Sequence, residues 1–328
     1  MEYITERNML IETGRKLLEE KIVARTWGNI SCRAGREHCL ITPSGLDYMQ
    51  TKAEDIVLLD LQSGTWEGRR KPSSEKGVHM AAYHCFREAG FVIHTHQNAA
   101  TAIGLTGIKT LEITAAEQEK LSGLGLAAYG APGSRQLTEA VEQVLQQGIQ
   151  TVLMAHHGVL VCARDREQAM GRVKLLEDIC RRNLCRVENP VPDEKARMQN
   201  SFRSGQVLQT PVIDLCLKQG LPVYAQLDDM AQMIGEVIPF AKTSKEAERL
   251  LKRYPAVLAD GCGAVVQADT ADDLAALKLL VEKACLCAVH TRAAGCEARL
   301  DPKEVKQLHA DYIDHYAKQY DGKNEGEE

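Results

Sequence analysis

In the stretch FVIHTHQNA, residues 91–99, two histidines stand one residue apart in an apolar run. Successive side chains of a strand point to opposite faces, so His94 and His96 project from the same side. Two imidazoles so placed are a chelating pair, and short motifs of this kind gain meaning only from their neighbours. A second pair, His156-His157 before Gly158, interrupts the apolar run TVLMAHHGVLVCARD. A histidine in a buried strand needs a hydrogen-bond partner or a metal, and two that alternate faces cannot both join one site. Glu75, in KPSSEKGVHMAAY, reads first as the acid of a helix start capped by Ser73 or Ser74. Its second reading is a carboxylate aimed into the site that the following strand creates. Thr26, Gly28, Asn29, Ser44 and Gly45 offer hydroxyl, amide or unobstructed backbone N–H groups. Such groups build either a neutral phosphate cradle or ordinary turns.

These residues must be held by a scaffold, and the chain has the material for one. With 328 residues, 44% of them hydrophobic, it can bury a sizeable core in one large domain or two. A net charge of −5 gives no general attraction to nucleic acid or an anionic membrane, so an anionic ligand would be held by a local site. The N-terminus carries charges throughout and no run reaches about 18 apolar residues, so a cytoplasmic protein without signal peptide or membrane span is expected. The eleven cysteines are odd in number and irregularly spaced, which favours reduced, buried thiols over a disulfide framework.

Along the chain, residues 4–23 carry the spacing of an amphipathic helix, with Leu10, Leu17, Leu18 and Ile22 on its inner side. TWGNISCR and HCLITPSGLDY read as short strands about a turn at Gly35, and residues 55–70 as a hairpin turning at Ser63-Gly64. His79, Ala82, Tyr83 and Phe86 fall on one side of the helix that begins near Ser73. Helices are also expected over 137–147 and 166–187, whereas the Gly- and Ala-rich stretch 110–134 is hard to assign.

Residues 151–185 are echoed by residues 256–290 without a gap, 105 positions later, matching Val152 with Val257, Gly158 with Gly263 and Cys180 with Cys285. The second copy has Gly261-Cys262-Gly263 where the first has His156-His157-Gly158, and no second His-x-His precedes it. The division expected is therefore a catalytic domain over 1–195, a degenerate structural or interface repeat over 205–320, and a disordered acidic tail over 321–328.

Taken together, TWGNIS, TPSG at 42–45, SSE at 73–75, HTH at 94–96 and HHG at 156–158 resemble the class II aldolase/adducin family, most closely its fuculose-phosphate aldolase branch. The resemblance spans roughly residues 5–190. It implies a three-layer α/β/α sandwich on a mainly antiparallel sheet, with the C-terminal α/β partial repeat added. By the same resemblance, His94, His96 and His157 are the ligands of one Zn2+ per chain, Glu75 is the catalytic acid/base, and Thr26, Gly28, Asn29, Ser44, Gly45, Ser73 and Ser74 bind phosphate. The implied activity is that of a lyase: cleavage of a ketose 1-phosphate to dihydroxyacetone phosphate and an aldehyde, with zinc stabilising the enediolate as a Lewis acid. The Glu75 pKa is expected to be raised by partial burial, against the pull of the metal. The implied assembly is a homo-oligomer, a tetramer, with sites at subunit interfaces.

Two features depart from the aldolase pattern. No tyrosine follows HTH before Tyr129, and Glu117, in LEITAAEQE, stands where methylthioribulose-phosphate dehydratases of the family carry a catalytic glutamate. A dehydratase and a pentulose-phosphate 4-epimerase are thus the alternative enzymes, and an adducin-like binding protein, which lacks the metal histidines, is the non-enzymatic alternative.

Overall fold

The computed structural model describes residues 1–23, 25–184, 202 and 205–316, so the expected acidic tail lies outside the described residues. The chain divides into two compact units, one up to Leu184 and the other after it.

The first unit runs α1 (Ile4–Glu19), β1 (Asn29–Ala34), β2 (His38–Ile41), β3 (Val57–Asp60), β4 (Trp66–Glu67), α2 (Lys76–Cys85), β5 (Phe91–Thr95), α3 (Asn98–Thr106), α4 (Ala115–Lys120), β6 (Leu124–Ala127), α5 (Arg135–Leu145), β7 (Thr151–Met154), β8 (Gly158–Ala163) and α6 (Arg166–Asn183). Its eight strands form one sheet in the order β4-β3-β2-β1-β5-β8-β7-β6. Every neighbouring pair is antiparallel except β6 and β7, which the α5 crossover makes parallel.

Strand alternation sorts the side chains into two cores. Phe91, Ile93, Val159 and Val161 face Leu10 and Leu17 of α1, Ile103 of α3 and Val173, Leu176 and Ile179 of α6. Val92, Leu160 and Cys162 face Val78, Ala82 and Tyr83 of α2 and Val141 and Leu145 of α5. Helices therefore cover both faces of the sheet, and near-continuous apolar strands such as β5 and β8 follow from burial on both sides. The result is the three-layer α/β/α sandwich on a mainly antiparallel sheet. His94 follows Val92 by two and so belongs to the α2 side.

Local chemistry explains most boundaries. Helix α1 stops before Lys21, whose φ of 57° breaks the helical path. The β3–β4 hairpin turns where expected, with Asp60 accepting from the backbone N–H groups of Gln62 and Ser63. The start of α2 differs from expectation: its N-cap is Glu75, with no side-chain cap bond, because that carboxylate turns away from the helix and into the fold. His156 and His157 also differ. They sit in the turn between β7 and β8, where His157 N–H donates to the Met154 carbonyl at 3.1 Å and His156 takes a φ of 61°.

The second unit contains β9 (Gln206–Leu208), α7 (Pro211–Gln219), β10 (Val223–Tyr224), α8 (Asp228–Met233), β11 (Val237–Ile238), β12 (Phe240–Ala241), α9 (Ser244–Leu251), β13 (Ala256–Ala259), β14 (Gly263–Val266), α10 (Ala271–Ala293) and α11 (Pro302–Asp311). Its larger sheet has the order β12-β13-β14-β9, and β10 pairs with β11. Within it, Lys283 and Asp229 form a buried ion pair at 2.7 Å.

Candidate functional site

Strand β5 runs down the middle of the first sheet, and its end delivers His94 and His96 beside the β7–β8 turn that delivers His157. The positive φ of His156 lets that turn reverse within four residues, so His157 points inward and is buried, while the His156 ring stacks edge-on to Tyr129 at 5.3 Å. Helix α2 brings Glu75 from the opposite side. The four groups converge: their ligand atoms all lie within 4.8 Å of one another. His94 Nε2 is 3.0 Å from His96 Nε2 and 3.1 Å from His157 Nε2. Glu75 reaches His94 Nε2 at 3.0 Å with one carboxylate oxygen and His157 Nε2 at 2.7 Å with the other.

This donor set fits a metal. The His94 Nδ1–H donates to the Val159 carbonyl at 2.8 Å and leaves Nε2 facing the other two rings and Glu75. As a neutral ring it offers a lone pair to a metal, and in the metal-free site it carries the proton that Glu75 Oε2 accepts. Nε2 atoms brought to 3.0–3.1 Å of one another, with a carboxylate beside them, are placed to surround a cation. Nitrogens at the corners of a tetrahedron with bonds of about 2.0–2.1 Å stand about 3.3 Å apart, close to this spacing. Three imidazoles and a carboxylate at this spacing form a donor set that could hold a metal ion.

Gly158 makes the convergence possible. A Cβ there would lie 2.4 Å from the Thr95 carbonyl oxygen and 3.1 Å from the His94 ring. Any side chain would push β8 away from β5 at the point where the ligands meet.

Burial pushes the Glu75 carboxyl up, but the charges of His94 and His157, and hydrogen bonds to both, outweigh it and hold the carboxyl well below the usual range. The raised pKa expected from the sequence is thus reversed: the carboxylate enters the site ionised.

The residues expected to hold phosphate come together from three loops. Thr42 N–H donates to the Ile30 carbonyl at 3.0 Å, Ser73 N–H to the Thr42 carbonyl at 3.1 Å and Ser44 N–H to the Lys71 carbonyl at 3.0 Å, which ties Asn29, Ser44-Gly45 and Ser73-Ser74 side by side. Gly28 and Gly45 have φ of 105° and 68°, the left-handed region that glycine reaches without strain. Thr26 and Ser44 are half-buried and Ser74 is exposed. The side chain of Asn29 is committed elsewhere: its Nδ2 donates to Glu75 Oε2 at 2.9 Å and its Oδ1 lies 2.5 Å from His79 Nε2.

Glu117 is not brought to this cluster. It occupies the third position of α4, where it accepts from Thr114 N–H and Oγ at 2.9 Å and pairs with Arg182 at 2.6 Å. The backbone N–H of Thr114 and the Arg182 guanidinium bring its carboxyl down to about 2.

His79, Ser31 and Tyr83 are site neighbours to which the sequence alone assigns no role in the site. The available signal was spacing: Glu75, His79 and Tyr83 are four residues apart, which stacks them on one helical face.

Known proteins fall in with this geometry. Residues 8–184 match the family described as Class II Aldolase and Adducin N-terminal domain. A 5-deoxy-D-ribulose 1-phosphate aldolase of Bacillus thuringiensis serovar kurstaki is 33% identical over 175 residues, covering 52% of this chain and 81% of its own. A methylthioribulose-1-phosphate dehydratase of Sodalis glossinidius is 32% identical over 166 residues, 46% of this chain and 82% of its own. Among solved structures, an L-fuculose 1-phosphate aldolase superposes with a TM-score of 0.50 at 28% identity, over 54% of this chain and 84% of that one. With more than half of its length matched and the fold in agreement, this chain belongs to the class II aldolase and adducin family.

Proposed function

We propose that the chain is a zinc-dependent sugar-phosphate aldolase that cleaves a ketose 1-phosphate to dihydroxyacetone phosphate and an aldehyde. The observation that carries this reading is the convergence of Glu75 with His94, His96 and His157 in one buried cluster. Aldolases acting on 1-phosphates among the relatives support it.

His94, His96 and His157 would hold the metal through Nε2, and a metal there would supply Lewis-acid polarisation for the ketose. Glu75 is ionised in the free site, the state needed to take a proton from carbon in the condensation direction. In cleavage, the proton lost by the hydroxyl that becomes the aldehyde passes to Glu75, which gives it to the carbon of the enediolate. The hydroxyls of Thr26, Ser44, Ser73 and Ser74 and the backbone of Gly28 and Gly45 receive the phosphate, which explains how a chain of net charge −5 binds an anion. Asn29, whose side chain is held by Glu75 and His79, anchors the strand end beside Gly28. A homo-oligomer with sites between subunits is part of the reading.

The test is incubation with a panel of ketose 1-phosphates and 5-phosphates. Dihydroxyacetone phosphate supports the aldolase; a dehydrated or epimerised product alone overturns it and leaves the metal centre standing. The dehydratase reading has a relative in its favour, but the Glu117 it would use is engaged by Thr114 and Arg182.

A further inference from the structure

A line of hydrogen bonds leads from Glu75 into the core between β1 and α2. Asn29 Nδ2 is 2.9 Å from Glu75 Oε2. Asn29 Oδ1 is 2.5 Å from His79 Nε2. His79 Nδ1 is 2.6 Å from Ser31 Oγ, and Ser31 Oγ is 2.9 Å from the Tyr83 hydroxyl. All five residues are buried, Ser31 and His79 completely.

The direction of every bond follows from the Asn29 amide, whose nitrogen faces Glu75 Oε2 and whose oxygen, an acceptor only, faces His79 Nε2. That oxygen needs a donor, which places the ring proton on His79 Nε2. Burial, with the His94 charge adding to it, brings the His79 pKa down to about 3, so the ring is neutral and Nδ1 is a bare acceptor. Ser31 therefore donates to Nδ1 and accepts from Tyr83. Reversing any one bond sets two acceptors or two donors face to face in a buried place, where an unmet partner is costly.

We propose that His79 is a positioning residue for Glu75: its Nε2–H locks the Asn29 amide in the one orientation that holds Glu75 Oε2 beside His94 and His157. Without that donor the amide is free to flip and present its oxygen to the carboxylate, which would repel Glu75 from its place. Tyr83 and Ser31 fix the ring from behind. The role of His79 in catalysis rests on the reading of Glu75 and the three histidines as the reaction centre; its tautomer does not.

The first test needs no metal and no substrate. Histidine 15N spectra of the metal-free protein at neutral pH, with the His79→Gln variant identifying the resonance, are expected to show the Nε2–H tautomer at His79. An Nδ1–H tautomer overturns the proposal whatever the site binds. The second test uses Co2+ as a visible probe. His79→Leu is expected to shift the Co2+ absorption spectrum and to lower kcat about 10–100-fold, the range for partners one step removed from a metal. KM stays within about twofold, since the substrate contacts are untouched. His79→Gln, which keeps a donor toward Asn29, recovers most of the loss; a purely structural role predicts no such rescue and no spectral shift. A folded His79→Leu protein with the wild-type spectrum and kcat overturns the proposal. Should that variant not fold, Ser31→Ala decides: a smaller shift in the same direction supports the proposal, and wild-type behaviour refutes it. If the wild-type protein neither binds Co2+ nor turns over a ketose phosphate, the functional reading falls and the tautomer decides the positioning alone.

Discussion

The strand quartets β6-β7-β8-β5 and β12-β13-β14-β9 have the same order, the same single parallel pair and the same two antiparallel pairs. Their registers correspond as well. His94 lies opposite Leu160, and Val207 lies opposite Val265, 105 residues after Leu160. Extending that pairing sets Gln209 where His96 stands and Cys262 where His157 stands. Gly158 and Gly263 check the alignment independently, because a Cβ on Gly158 would meet His94 and His96 while one on Gly263 would meet Val207 and Gln209. The comparison separates framework from chemistry. A valine has no lone pair, and the Gln209 amide is spent on the Cys262 carbonyl at 2.6 Å. The first quartet also borrows Asn29 from β1, which pairs with β5 opposite His94. Among the described residues no strand pairs with the corresponding edge of β9, and Val207 is 41% exposed where His94 is fully buried.

The strongest way to break this contrast is to remove a ligand from each quartet. His94→Ala is expected to take metal content from about one ion per chain to almost none, with activity falling by orders of magnitude, whereas Cys262→Ala leaves both at wild-type level. Metal analysis and turnover check it, and a metal lost with Cys262 would make the second quartet a ligand site after all. Next, Glu75→Gln is expected to keep the metal while slowing turnover about 10²–10⁴-fold, the contribution of a positioned acid/base. In the second unit, Lys283→Met removes the buried cation beside Asp229 and should cost about 3–5 kcal/mol there, read by denaturant titration, with metal content unchanged. Gly158→Ala and Gly263→Ala are each expected to destabilise their own unit by about 1–3 kcal/mol through overpacking, but only the first to weaken metal binding. The smallest effect concerns acid. His79 is neutral when folded down to about pH 3 and takes up a proton near its ordinary pKa when unfolded, so stability is full above about pH 6.5 and declines as pH falls toward 3. His79→Gln should flatten that part of the stability–pH curve.

Much of this was legible before any coordinates. The ligand pattern was readable because period-two alternation puts His94 and His96 on one face, and the hairpin of residues 55–70 because Ser63-Gly64 marks its turn. What stayed hidden depended on contacts distant in sequence. His79 lies on the apolar side of α2, and nothing in its neighbourhood says that Asn29 and Ser31 of β1 will close over it. The fate of Glu75 was misjudged for a related reason, since burial alone would raise its pKa and only the assembled histidines reverse the sign. Glu117 matched a sequence pattern, yet a threonine three residues earlier made it an ordinary helix cap.

The paired glycines also say how the signature of this site should be weighed. The letters His-His-Gly mix two kinds of information: His157 belongs to the cluster that could hold a metal, while Gly158 reports only that a neighbouring strand's carbonyl passes too close for a methyl group. Gly263 meets the Leu208 carbonyl in the same way, at 2.6 Å from where its Cβ would be, with no ligand beside it. A search that rewards the glycine as much as the histidines would rank a hairpin without the ligand cluster alongside one that carries it. Scored separately, the two letters distinguish a chain that can fold this hairpin from one that can also use it.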